Sequence, residues 1–588
     1  MSAVAGSQEV AQSPAFIRPH RPARAAIVAT YAILLFGGFL LFFSHHATLP
    51  SDSYFSLLVS QSILTHHTVV LNNYSIPHGK PYSQLAFGAN GYPYHITFRH
   101  GEMLYAFPYG SSVLSVPFVG VLNLVGISIL KPDGSFSSEG DVLAERIIAG
   151  FLMALVACIF FATALLLLPY WLSLIAALAG ALGTQVWSTG SQVLWSFDWQ
   201  LVLIALALNA LLGAAVRRRD PNPWWLGSLL AWAYFVRPTS SISIVAISAY
   251  VWLYHRRILI PYAAAGMLWL TGFVGFWYDV FGEPLPDYFQ PTRLSLSHFQ
   301  TALANNLVGP ARGLLIYMPV VGFVIYLAAR YWRNLRFRPI ATMAVCVCIA
   351  HLLCISMFTE MWWAGWCYGA RFATDLVPWL MLLGVLGLDS MTRRAALRQA
   401  TRGGRAVELA AGAALLILSV AIQGHGAWSR ATDQWNMWAT CHIPWRSETP
   451  ADLLVDWRYP QFLAGLIEPP SASPVVTAIR ADDGRLWHVG PSPGQRPVLR
   501  PGEQVVIEGR GFDQVHGVAL DVFCQCPHGR QGPFRIGAPQ VTRFQAKFKL
   551  PVSIGNGAGA LQVTNPPCAG APGEKSNAVA VSFNAAGH

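Results

Sequence analysis

Charge is what this chain has little of. Asp, Glu, Lys and Arg make up 11% of its 588 residues, while 54% are hydrophobic. Soluble domains carry about 25% charged residues, so composition excludes an ordinary water-soluble enzyme and points to a polytopic membrane protein with a soluble part attached. Several motifs are missing too. There is no G-x-G-x-x-G between a strand and a helix, no Walker lysine loop, no H-E-x-x-H pair and no internal repeat of convincing period. Dinucleotide, P-loop and zinc-protease chemistries therefore have no footing. The net charge of +11 does not imply nucleic acid, because much of the Lys and Arg falls in short loops between apolar runs. The histidines are mostly single, so no dedicated metal cage is expected. A divalent ion held by outer carboxylates is compatible with the sequence and is not required by it.

What is present is a series of apolar runs. Segments long enough to span fall at 26–46, 145–169, 172–190, 199–216, 222–236, 238–254, 258–278, 313–330, 339–358, 373–390 and 406–424. Residues 1–25 read as a basic, disordered cytoplasmic tail. The basic clusters at 18–24, 217–219, 255–257, 330–338 and 393–405 all fall on one side only if the further apolar run 112–130 does not cross. That run is therefore expected to be interfacial or re-entrant, inside a large first outer loop. The expected topology is about eleven spans, with the N-terminus cytoplasmic and the C-terminus outside.

Residues 425–474 form a Trp-rich outer segment and linker, suited to an aromatic belt. From 475 to 588, short β-type runs (VVTAIR, QVVIEG, GVALDVFC, RFQAKFKL, ALQVTN, AVAVSF) alternate with Gly and Pro, the pattern of an all-β sandwich. Four of the nine cysteines (Cys158, Cys346, Cys348, Cys354) lie in apolar runs and read as packing residues. Cys524 and Cys526 each offer Cys568 a disulfide partner, and spacing does not choose between them.

Topology places Asp52, Glu102, Asp198, Glu283 and Glu360 on the outer side near predicted membrane boundaries, where charge is costly and marks sites. Asp52 heads LPSDSYFSLLVSQSIL, which also reads as a helix cap. The stretch MWWAGWCYGARFATDLVP gathers Trp366, Tyr368 and Arg371, aromatics that suit either the interface or a sugar ring. NLVGPARGLLIYMP carries Arg312.

In order along the chain, the Asp52 segment, YAFPYGSSVLSVP, GTQVWSTGSQVLW, VRPTS, FGEPL, GPARGLLIYMP and WWAGWCYGARFATDLVP resemble the GT-C class of polytopic glycosyltransferases. The closest group is the bacterial branch near the protein O-mannosyltransferases and the aminoarabinose transferase of lipid A. The similarity covers roughly residues 28–465. It implies a GT-C-like helical fold in a bacterial inner membrane. It also implies transfer of a sugar from a polyprenyl-phosphate donor to a protein, lipid or glycan hydroxyl at the outer face, among membrane lipids and without nucleic acid. By the same resemblance Asp52 is the catalytic base, Arg371 and Arg312 hold the donor phosphate, and metal dependence stays open. Many relatives have His after the LW of the third-span segment; here it reads Leu194-Trp195-Ser196-Phe197-Asp198-Trp199, so either Asp198 substitutes or the role is absent. The tail, through LRPGEQVVIEGRGF, FKLP and SNAVAVSF, resembles an IPT/TIG immunoglobulin-like domain. The competing readings are a transporter or flippase of lipid-linked saccharides and a non-catalytic scaffold of the same fold.

Overall fold

The computed structural model describes residues 23–45, 52–77, 91–358, 361–396, 402–442, 454–455, 457–467, 473–489, 496–512, 517–525, 534–542, 544–565 and 575–584. The chain folds as two compact units. The first takes in residues 1–290, 318–351 and 374–423, and the second residues 291–317, 352–373 and 424–588.

Among the described residues, seven helices are long and apolar enough to cross a membrane: Arg24–Phe43, Ser138–Leu165, Ser196–Val216, Arg256–Phe281, Arg338–Ser356, Arg371–Arg394 and Gly404–Trp428. The other four expected spans are shorter or broken. Tyr170–Leu182 has 13 residues, Pro223–Val236 and Ser241–Tyr254 have 14 each, and Pro319 splits the 313–330 run into Leu314–Tyr317 and Val320–Tyr331. At 1.5 Å per residue, 14 residues reach about 21 Å, short of a hydrocarbon core of about 30 Å. Pro238 ends Pro223–Val236, since a proline lacks a backbone donor and disfavours the helical conformation of the residue before it. The run expected at 112–130 is a 15-residue helix, Gly110–Leu124.

The core of the first unit is a continuous apolar cluster. Leu208 and Leu212 from Ser196–Val216, Leu226 and Ala233 from Pro223–Val236, and Val251 pack with Leu327, Ala344, Trp379 and Leu386. The same unit carries a hairpin of β1 (Ile96–Arg99) and β2 (Glu102–Tyr105), in the register Ile96 to Tyr105 and Arg99 to Glu102. Its two-residue loop, His100-Gly101, has φ of +51° and +82°. Two positive φ values in succession make the turn whose twist suits a hairpin, and glycine takes its share without strain.

In the second unit, Trp362, Trp363, Trp435, Leu454 and Tyr459 form a small aromatic core. Trp435 is buried there and donates from its indole nitrogen to the Tyr459 carbonyl at 2.9 Å, so this tryptophan is a core residue and not part of a belt. Trp428 and Trp457 are exposed.

The C-terminal sandwich is built from β3 (Val475–Ala481), β4 (Leu486–His488), β5 (Val498–Leu499), β6 (Gln504–Arg510), β7 (Ala519–Gln525), β8 (Phe534–Gly537), β9 (Gln540–Val541), β10 (Gln545–Lys549), β11 (Gly557–Thr564) and β12 (Val579–Phe583). One sheet has the order β4-β3-β6-β10-β9 and the other β5-β12-β11-β7-β8. Alternation decides which side chains face in: Val505 and Ile507 of β6, Ala546 and Phe548 of β10, and Val579, Val581 and Phe583 of β12 are all buried. Cys524 on β7 is disulfide-bonded. Cys526 and Cys568 lie outside the described residues.

Candidate functional site

Asp52 sits in a turn ahead of the helix Ser56–His66. The helix follows Phe55, whose backbone is left-handed at φ 72°, and no side chain caps it. The N-cap position is Phe55, so Asp52 lies three residues ahead of it and is not the N-cap residue. Three contacts fix the turn. The Tyr105 hydroxyl donates to the Asp52 main-chain carbonyl at 2.5 Å, the Tyr94 hydroxyl approaches Asp52 Oδ1 at 3.4 Å, and the Ser53 hydroxyl donates to Glu145 Oε2 at 2.8 Å. Tyr54 and Phe55 pack edge-on and tilted against Phe136, at 5.2 and 4.7 Å between ring centres. Burial, with the negative charge of Glu145 and then Asp52 added, pushes the Tyr105 hydroxyl well above its ordinary pKa, so it serves as a donor. Asp52 itself is half-buried, and the ring of Tyr94, whose hydroxyl approaches it, packs on Phe107, which packs on Tyr288.

Behind this turn lie acids that the sequence reading did not single out. Asp141 and Glu145 are one helical turn apart in Ser138–Leu165, and both are fully buried. Glu145 Oε2 also accepts from the Leu194 amide at 3.1 Å. Asp198 is buried at the start of Ser196–Val216 and accepts from the Trp195 amide at 2.9 Å, so it does cap its helix, while its other oxygen has no hydrogen-bond partner. Arg237 donates from Nε to Asp375 Oδ2 at 2.9 Å and from Nη1 to Ser196 Oγ at 2.9 Å. Thr239 donates to the same Asp375 oxygen at 2.7 Å, and His351 Nε2 stands 3.8 Å from it. Asp52 lies close enough to Arg237 to act on its charge, as Glu145 and Arg237 do on Asp198. The first unit thus gathers Asp52, Glu145, Asp198, Arg237 and Asp375. Of these, Asp52 and Asp198 were singled out from the sequence, and Arg237 had a visible signal in the VRPTS break between two short apolar runs.

The remaining expected residues fall elsewhere. Glu102 is exposed at the hairpin and Glu283 is exposed after Gly282. Glu360 lies outside the described residues. Arg312 and Arg371 belong to the second unit, where both line one small cavity with Asn306, Trp363 and Phe372. Arg312 is buried and committed. It donates from Nε to the Trp363 carbonyl, from Nη1 to the Ala311 carbonyl and Gln461 Oε1, and from Nη2 to the Gly365 carbonyl, at 2.7 to 2.9 Å. Four of its five N–H donors thus serve the surrounding chain. Arg371 is buried with its guanidinium over Phe372 at 5.3 Å. Tyr368 is buried edge-on to Tyr317 at 5.2 Å, and Trp366 packs on Trp363 at 5.0 Å.

Among the described residues, the carboxylates spaced to share one cation are Asp482, Asp483 and Glu503 in the sandwich. Arg485 donates to Asp483 and to Glu503 at 2.6 Å each, which puts a positive charge where a cation would sit.

No protein-family model and no curated protein matches the chain. Among solved structures, the apo form of the Archaeoglobus fulgidus oligosaccharyltransferase is similar at 12% identity and a TM-score of 0.40, over 80% of this chain and 62% of that one. The match therefore spans less than two thirds of the archaeal protein.

Proposed function

We propose that the chain transfers a sugar from a polyprenyl-phosphate-linked donor to a hydroxyl acceptor at the outer membrane face, with Asp52 as general base. The observation that carries this reading is the Asp52 turn: a half-buried carboxylate beside exposed and half-buried aromatic rings, with a guanidinium in electrostatic reach. An acceptor hydroxyl there meets a group able to take its proton as the bond to the sugar carbon forms, a contribution of about 10²–10⁴ in rate. The leaving group is a phosphate, so the protein need only balance its charge. Arg237 supplies positive charge on the Asp52 side. By the resemblance Arg371 and Arg312 are the second-unit candidates for the donor phosphate, and Arg312 spends four of its five N–H donors on its own neighbours. The ordered motifs shared with GT-C glycosyltransferases support the same chemistry.

The test is transfer from a panel of radiolabelled polyprenyl-phosphate sugars by the purified full chain, wild type beside Asp52→Asn, with donor binding measured in parallel. The expected result is normal donor binding with transfer about 10²–10⁴ slower in Asp52→Asn. Equal transfer by both proteins removes Asp52 from the mechanism. Movement of the labelled lipid across vesicles without transfer overturns the enzymatic reading in favour of transport.

A further inference from the structure

The buried pair on Ser138–Leu165 has no place in the proposed chemistry, yet one member touches both acid-bearing turns. Glu145 Oε2 accepts the Ser53 hydroxyl at 2.8 Å and the Leu194 amide at 3.1 Å. Ser53 is the neighbour of Asp52. Leu194 adjoins Trp195, whose amide is bound by Asp198. One carboxylate oxygen therefore joins the turn that carries Asp52 to the turn that opens the Asp198 helix. The site is built for this: Glu145 is fully buried, Ser53 is 4% exposed, and Leu194 is 1% exposed. Water cannot replace either donor. Other restraints on the Asp52 turn include the Tyr105 hydroxyl on the Asp52 carbonyl, the Tyr94 hydroxyl 3.4 Å from Asp52 Oδ1, and the packed rings of Tyr54 and Phe55. The Ser53 contact is a side-chain tie immediately next to the reactive carboxylate.

We propose that Glu145 is a positioning residue that, through Ser53, sets the direction of the Asp52 carboxylate and fixes its place relative to Asp198. The inference rests on reading Asp52 as the base. Glu145 meets no substrate and exchanges no proton with it. Its effect is on geometry, where a misplacement of about 1 Å costs up to 10²-fold in rate.

The experiment uses the purified full chain with Ser53→Ala, Glu145→Gln and the double variant. Two readouts separate this proposal from the one it rests on. The first needs no sugar donor: the rate at which a carbodiimide and an amine label Asp52, read by peptide mass spectrometry. Each single variant is expected to label Asp52 several-fold faster than wild type, and the double variant no faster than either. The second is transfer kinetics. Each single variant is expected to lose about tenfold in kcat, with KM for the donor within about twofold, and the double variant to lose no more than a single. Wild-type labelling in both single variants overturns the proposal, as does a loss in the double variant equal to the product of the singles. Ser53→Ala decides the matter if Glu145→Gln does not yield folded protein, because it removes one hydroxyl and leaves the helix untouched. If Asp52→Asn proves fully active, the base assignment falls, while the labelling rates still decide whether Glu145 holds the turn.

Discussion

The Arg237–Asp375 pair offers the sharpest test of how the first unit holds its charges. Both residues are buried, and 138 residues of sequence separate them. The contact is 2.9 Å, so with an effective dielectric of about 20 the attraction is on the order of 5 kcal/mol. Desolvation of both ions cancels much of that gain. The pair is therefore a weak source of net stability but a costly one to break, because removing one partner leaves the other buried and uncompensated, at about 3–5 kcal/mol. In Arg237→Met, Asp375 keeps the Thr239 hydroxyl at 2.7 Å and loses its guanidinium. The midpoint of thermal unfolding in detergent is expected to fall by about 4–6 °C. In Arg237→Met combined with Asp375→Leu no charge is stranded, and most of that loss is expected to return. The double variant should nevertheless transfer sugar poorly, because the positive charge within reach of Asp52 is gone. Thermal unfolding and transfer are measured on the same preparations. A single variant as stable as wild type, or a double variant whose loss equals the sum of the singles, refutes the reasoning.

Two other expectations follow from packing and burial. A Cβ on Gly110 would lie 2.5 Å from the Val236 amide nitrogen and 2.6 Å from its Cα, backbone atoms that have no flexible end to yield. Gly110→Ala is expected to cost about 1–3 kcal/mol, to shift the Arg237 turn next to Val236 and to slow transfer. Gly120→Ala, whose Cβ would meet Leu64 methyl groups at an ordinary 3.9 Å, is the control and should be tolerated. In the second unit, burial pushes the Asp433 carboxyl up to about 6. Its folded pKa lies above the unfolded value near 4, so the protonated form favours the fold at low pH, and that advantage is lost as pH rises from about 4 through 6. Asp433→Asn should match wild type in melting temperature below pH 4 and exceed it above pH 7, by an effect on the order of 3 kcal/mol at most. A gap that does not change with pH contradicts this.

The parts legible in the sequence were those governed by local pattern. Period-two alternation marked β6, β10 and β12, and the apolar runs marked the long helices, because burial imposes a period along a single segment. Asp52 also stood out, as a carboxylate next to an apolar helix and close to a membrane boundary. The short helices at 222–236 and 238–254 were legible as runs, but Pro238 and the Arg237 turn limit them, and hydropathy alone does not show where a span stops.

Glu145 was hidden for a different reason. In SEGDVLAERII, Ser137 accepts from the Gly140 amide, and Glu139 and Asp141 fall in the first helical turn, the usual place for acids that face a helix dipole. Those two acids read locally as part of the helix start, and Glu145, one turn beyond Asp141, reads as their continuation. What separates Glu145 from its neighbours is a hydroxyl 92 residues earlier and an amide 49 residues later, which no periodicity encodes. The same logic reverses the two visible acids. Asp52 reads as a cap but lies three residues ahead of the N-cap position, left-handed Phe55, while Asp198 reads as a replacement for a catalytic His and spends one oxygen on the Trp195 amide. A carboxylate that accepts its own helix's first amide is a weaker base for it. That commitment of Asp198 supports the proposal that Asp52 is the group that takes the proton.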